Sequence, residues 1–302
     1  MGVMDIRDQK SVSSRSILII DAIAIAVKTL GYISMAVALG SVLCLTVLRQ
    51  LPKAERHFLP WLTFIAASIA LITIVGLIGI EVIFLAEGDV AALFDGELIG
   101  FILSGPLAQT FFIQFSGLLL TGASIFIPVV GLPLALIGVL AVSASFGLSG
   151  HVGSYEGLWL SVLITLHWLA LGFWAGIFIP LYRVCGYDAQ SAAKIAHEFG
   201  RLAVGLVGIL VIAGATTLYQ LTDGRLLDFN DGYTQLFAIK LSVFLLVLAL
   251  AAVNKLSLTP ALNRGDRLAP GRMKQSLLLE GMLIIVVMVV SASIITLTSP
   301  AG

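Results

Sequence analysis

Hydrophobic residues in this chain come in long unbroken runs, with polar residues gathered between them. Each run is long enough to carry an α-helix across roughly 30 Å of hydrocarbon. The strands of a membrane β-barrel would alternate polar and apolar residues, and these runs do not. The pattern predicts eight spans, at residues 17–48, 58–85, 98–121, 126–148, 157–184, 199–221, 233–255 and 276–298. The third is broken near its start by Ser104-Gly105-Pro106, and the fourth carries Pro128 and Pro133, which neighbouring helices tolerate. The expected fold is therefore all-α: a polytopic membrane protein with eight transmembrane helices in one bundle. A polar N-terminal segment (1–16) leads into spans one to four (17–148), followed by spans five to eight (149–302). The polar start and the long first run, with no small-residue cleavage site after a short apolar core, predict a retained first span, not a signal peptide.

Composition agrees with this reading. The chain is 59% hydrophobic and 11% charged, with a mean hydropathy of +1.07, which leaves no room for a soluble domain beyond short loops. No basic patch points to nucleic acid. Cys44 and Cys185 lie far apart and form no Cys-x-x-Cys pair, so neither a disulfide framework nor a thiolate zinc site is expected.

Charge distribution orients the bundle. Eight spans put both termini on one side. The odd-numbered connections then carry Arg49, Lys53 and Arg56, then Arg183, Lys194 and Arg201, then Lys255, Arg264, Arg267, Arg272 and Lys274. The opposite side has only Arg7, Lys10, Arg15 and Arg225. The positive-inside rule predicts that both termini lie outside the cytoplasm. The outer connections carry Glu87, Asp89, Asp95 and Glu97, then His151 and Glu156, then Asp223, Asp228 and Asp231. Such a face raises the local concentration of cations, although solvated loops under the topology rule would have the same composition.

Ionisable and soft side chains inside the runs are the candidate chemistry, because polar groups at that depth are expensive. His167 lies about ten residues into span five, hence about 15 Å below the outer surface. Gly172 and Gly176 follow it at a helix-packing spacing. His151 sits in Gly150-His151-Val152-Gly153-Ser154 at the outer mouth. On a continuous helix the two imidazoles would be about 24 Å apart, so one ion needs the His151 loop folded back, or else two steps. His57 and His197 fall at the basic ends of spans two and six and read as interfacial. Lys28, Glu81, Lys240 and Glu280 are the other buried ionisables. Asp21 and Lys28 share a face of span one, and Lys28 with Glu81 is an available charge pair. Met35, Met282 and Met288 offer thioethers for a soft ion, although they form no cluster and packing explains them as well. Walker, Rossmann, His-Glu-x-x-His and Gly-x-Ser-x-Gly motifs are absent, as is the Cys-x-x-Cys-His of covalent haem.

These residues resemble the copper resistance protein D (CopD) family of bacterial inner-membrane proteins. The match runs through Gly150-His151, Leu166-His167, Trp174-Ala175-Gly176, Lys240, Asn254-Lys255 with Pro260 and Asn263, Leu279-Glu280 and Pro300, covering roughly residues 140–300. Ala175 stands where the family usually has a second glycine, Lys255 where an arginine is common, and Gly200 where a serine is more usual. The resemblance implies copper ion transport or homeostasis, with a periplasmic CopC-like copper-binding protein as partner. In that reading His151 is the entry ligand, His167 the mid-membrane ligand and Met35 a further ligand, with Lys240, Glu81 and Lys28 as charge partners. The His–Trp–Gly pattern is also similar to membrane proteins that bind b-type haem, including the bacterial protoporphyrinogen oxidase family. There His167 would be an axial ligand, with Lys240, Met35 or His151 opposite, in an electron-transfer protein or oxidoreductase.

Overall fold

The computed structural model describes residues 6–127, 129–148, 158–221 and 232–298, and every regular element among them is helical. Ten α-helices follow in order: α1 Ile6–Val47, α2 Lys53–Leu85, α3 Gly96–Ser104, α4 Pro106–Ala123, α5 Gly131–Gly147, α6 Leu158–Val184, α7 Ala189–Leu221, α8 Gly232–Val253, α9 Thr259–Asn263 and α10 Ala269–Leu297. Short 3-10 turns stand at Val90–Phe94 and Ser124–Phe126, and a π-turn at Asn254–Leu258 joins α8 to α9. Seven helices among the described residues are long and apolar enough to cross a membrane, while α5 is apolar but only 17 residues long.

Local chemistry explains the boundaries. α2 ends where Glu87 and Gly88 take positive φ (54° and 99°), and Gly88 N–H donates back to the Ile83 carbonyl. Positive φ suits glycine because it has no Cβ to clash. The Asp95 carboxylate caps α3 by accepting from the Glu97 and Leu98 amides. Gly105-Pro106 then splits the predicted third span into α3 and α4, with proline at the permissive first turn.

Several predicted starts move: α1 begins at Ile6 and α2 at Lys53, ahead of the expected 17 and 58, and α5 begins at Gly131, after the expected 126. α7 begins at Ala189, ten residues before the expected 199, because Ala192, Ala193, Ile195 and Ala196 bury one face while Lys194 and His197 stay exposed. α10 begins at Ala269, where Ala269, Met273 and Leu277 recur every four residues and are buried. Both extensions are amphipathic, so a search for continuous apolar runs passes over them. The predicted end of span seven at 255 becomes the π-turn, and the chain continues as helix to Asn263.

α1 is the most buried span and packs against α2, α6 and α10. Contacts of Gly31 with Thr73 and of Gly76 with Val27 make α1 and α2 antiparallel. α1 and α6 run parallel: Tyr32 meets Trp168, and Gly40 meets Gly172 and Gly176. A Cβ built on Gly40 would lie 2.6 Å from the Gly176 Cα, so the two backbones touch. The spacing of Gly172 and Gly176 is thus a packing seam, and Gly40 is its partner. Both cysteines are buried and free.

Candidate functional site

The connections that carry most of the basic residues meet on one face. Glu198 of α7 accepts from the backbone amides of Arg49 (3.0 Å) and Gln50 (3.1 Å). Glu55, in the first turn of α2, is fully buried and takes Arg183 Nε on both oxygens at 3.1 Å. Tyr187 donates its hydroxyl to the same carboxylate at 3.1 Å, and the Arg183 guanidinium lies 3.9 Å from the Phe58 ring centroid. Partial burial first, then the Glu55 charge and hydrogen bond, push the Tyr187 phenol up to about 12 from 10.0. A value raised on folding means that this contribution is complete below about pH 10 and lost as pH rises through about 12. Thermal melts across that window should show wild type losing more stability than Tyr187→Phe. Parallel curves would remove the hydroxyl from the ledger of this face.

His167 lies half-buried on α6, within electrostatic range of Lys240 on α8. Its neighbour Trp168 stacks on Phe146 (3.7 Å, 15°), with Tyr32 edge-on at 5.6 Å. Met35 is 3% exposed and packs in the apolar core of α1, α2, α4 and α5. Lys28 lies in the field of Glu81 and Asp21, but its ammonium donates to Thr296 Oγ1 on α10 at 3.0 Å. Of the other histidines, His57 is exposed and bonds its own helix at the Lys53 carbonyl, and His197 is exposed. Met288 is buried and Met282 faces outward. His151 lies outside the described residues. Among the described residues no three His, Cys, Asp or Glu side chains gather into a metal-binding group.

A second polar centre forms where α6, α7, the π-turn and α10 meet. Glu280 of α10 is 2% exposed; Trp174 Nε1 donates to Oε1 at 2.8 Å and Asn254 Nδ2 to Oε2 at 2.7 Å. These residues border a cavity of about 330 Å³, lined otherwise by apolar side chains with Lys255 and Thr259. Each of the three residues is visible in the sequence as a polar group in an apolar run, yet nothing there joins positions 174, 254 and 280. Glu55 carries no sequence signal of its own, being one acid in a polar connection.

The helices and their apolar surfaces define an all-α polytopic membrane protein. A model of copper resistance protein D matches residues 193–294, and a model of the copper resistance protein D-like N-terminal domain matches residues 19–162. The chain belongs to the copper resistance protein D family. The N-terminal match extends the likeness into the first four spans, where the sequence showed little motif. No curated protein and no solved structure matches the chain significantly. Family membership points to a role in copper resistance or transport.

Proposed function

We propose that the protein moves copper ions across the bacterial inner membrane as part of copper homeostasis. The observation that carries this reading is the pair of family matches, which together span most of the chain. Counting α5 as a crossing element gives eight spans, and the basic face is then cytoplasmic with both termini periplasmic. His151 at the outer mouth is the first ligand, supplied by a periplasmic CopC-like protein, and His167 is the ligand within the membrane. Lys240, within electrostatic range of His167, supports passage over storage. A cation on the imidazole meets a neighbouring positive charge, and conduction requires binding weak enough for release.

The test is copper accumulation in cells that carry the wild type or His167→Ala. Loss of accumulation with unchanged membrane abundance and melting temperature supports the reading, and unchanged accumulation ends it. In the haem alternative His167 is an axial ligand, with Lys240 a candidate for the opposite position. A Soret band in purified wild type that disappears in His167→Ala would replace transport by electron transfer. A colourless protein that retains copper supports transport.

A further inference from the structure

Glu280 is a buried carboxylate with no cation paired to it among the described residues. Its two hydrogen-bond donors, an indole N–H and an amide N–H, are both neutral. The ion pair found among the described residues is Arg183–Glu55, on another part of the basic face. Ionised, Glu280 would hold its charge out of water on two neutral hydrogen bonds, and a buried charge left unpaired is expensive. A proton removes that cost.

The partners of Glu280 suit both charge states. Asn254 presents donors on one edge of its amide and an acceptor on the other. Facing ionised Glu280 it donates, and its Oδ1 is left buried with no partner among the described residues. A half-turn of the amide brings Oδ1 round to accept from protonated Oε2. Trp174 donates to Oε1 in either state. Asn254 opens the π-turn, the one departure from α-geometry inside this helix, and its carbonyl is held by the Thr259 hydroxyl at 2.8 Å. π-Turns of this kind recur at functional sites because they free backbone and reorient side chains.

The cavity offers a route. α7 and α8 make scarcely any direct backbone contact, and the cavity occupies the gap between them. Its titratable lining groups are Glu280 and Lys255, the latter exposed on the basic face. From α6 comes Trp174 with apolar side chains, from α7 apolar residues and Gly200, and from α10 Met273 and Leu277. Two nearby cations are engaged elsewhere: Arg183 on Glu55, and Lys274 over the Tyr182 ring at 4.4 Å.

We propose that Glu280 is a proton-binding site, loaded and unloaded from the basic face through this cavity. In the step a hydronium ion gives its proton to Oε2, an O–H bond forms, water leaves, and the Asn254 amide turns from donor to acceptor. The site is independent of copper, so it is tested in copper-free protein in phosphatidylcholine vesicles. Infrared difference spectra over a pH series should show a protonated-carboxyl C=O band that is lost as pH rises and is missing in Glu280→Gln. Asn254→Leu removes a donor to the anion, and its band should persist to a proton concentration at least about tenfold lower. If Glu280→Gln does not fold, Trp174 makes the assignment in protein that keeps Glu280. With Trp61, Trp159 and Trp168 replaced by Phe, the remaining indole emission should shift with the same midpoint. A carboxyl band that ignores pH, a titrating band retained in folded Glu280→Gln, or Trp174 emission unmoved across the band's midpoint would each overturn the proposal.

Discussion

Gly176→Leu is expected to abolish the folded bundle. α1 and α6 meet backbone to backbone at Gly40, Gly172 and Gly176, and even a Cβ at Gly176 would lie 2.5 Å from the Gly40 Cα. Nothing at that distance is a flexible side-chain tip, so the helices themselves must separate. Separation costs contacts along the most buried span, because close approach of small residues is what drives helix association in lipid. Gly176→Ala should cost about 1–3 kcal/mol, as overpacking generally does, and Gly176→Leu more than that. Gly205 on α7 is the control: a Cβ there meets nothing within 4 Å among the described residues. Gly205→Ala should be neutral or stabilising by up to about 1 kcal/mol, the helix-propensity difference. Size-exclusion profiles and helical melting curves in detergent report all three. A monodisperse Gly176→Leu that melts with wild type would show that the α1–α6 seam does not hold the bundle.

Arg183→Ala is the next largest expected loss, and it should exceed that of Glu55→Gln. The pair is asymmetric: the Arg183 side chain is 42% exposed, while that of Glu55 is 0% exposed. Without Arg183 the carboxylate stays buried with only the Tyr187 hydroxyl, and breaking a buried pair in that way costs about 3–5 kcal/mol. The contact of the guanidinium with Phe58 is lost as well. Without the carboxylate charge, Arg183 can turn to water and the glutamine still accepts from Tyr187, at a cost of about 1 kcal/mol. The double variant should therefore be more stable than Arg183→Ala alone, a non-additivity that a double-mutant cycle reads directly. If Glu55→Gln proves the costlier single change, the carboxylate is not the buried partner the geometry makes it.

The spans were legible because their signal is local. Span five, expected at 157–184, is found at Leu158–Val184, and the break at Ser104-Gly105-Pro106 falls where proline chemistry puts it. The starts of α7 and α10 were misplaced because their first turns mix charge with apolar residues. Gly172 and Gly176 announced a packing seam, but their partner Gly40 lies more than 130 residues earlier with no mark to distinguish it from other glycines. Of the candidate site residues, Lys240 lies within electrostatic range of His167, and Met35 packs in an apolar core. Lys28 reaches Thr296, a residue of ordinary appearance in the last helix.

In hydrocarbon each backbone N–H and C=O must be satisfied within its own segment, so an apolar run of sufficient length becomes a helix wherever it stands. That is why helix content, approximate span positions and the charge difference between the two faces follow from residue order alone. Helix rotation and neighbour choice follow a different rule, because lipid and leucine are equally apolar and no burial pattern marks the inward face. Close packing and polar pairing between distant segments settle those, and they place Gly40 against Gly176, Arg183 on Glu55, and both Trp174 and Asn254 on Glu280.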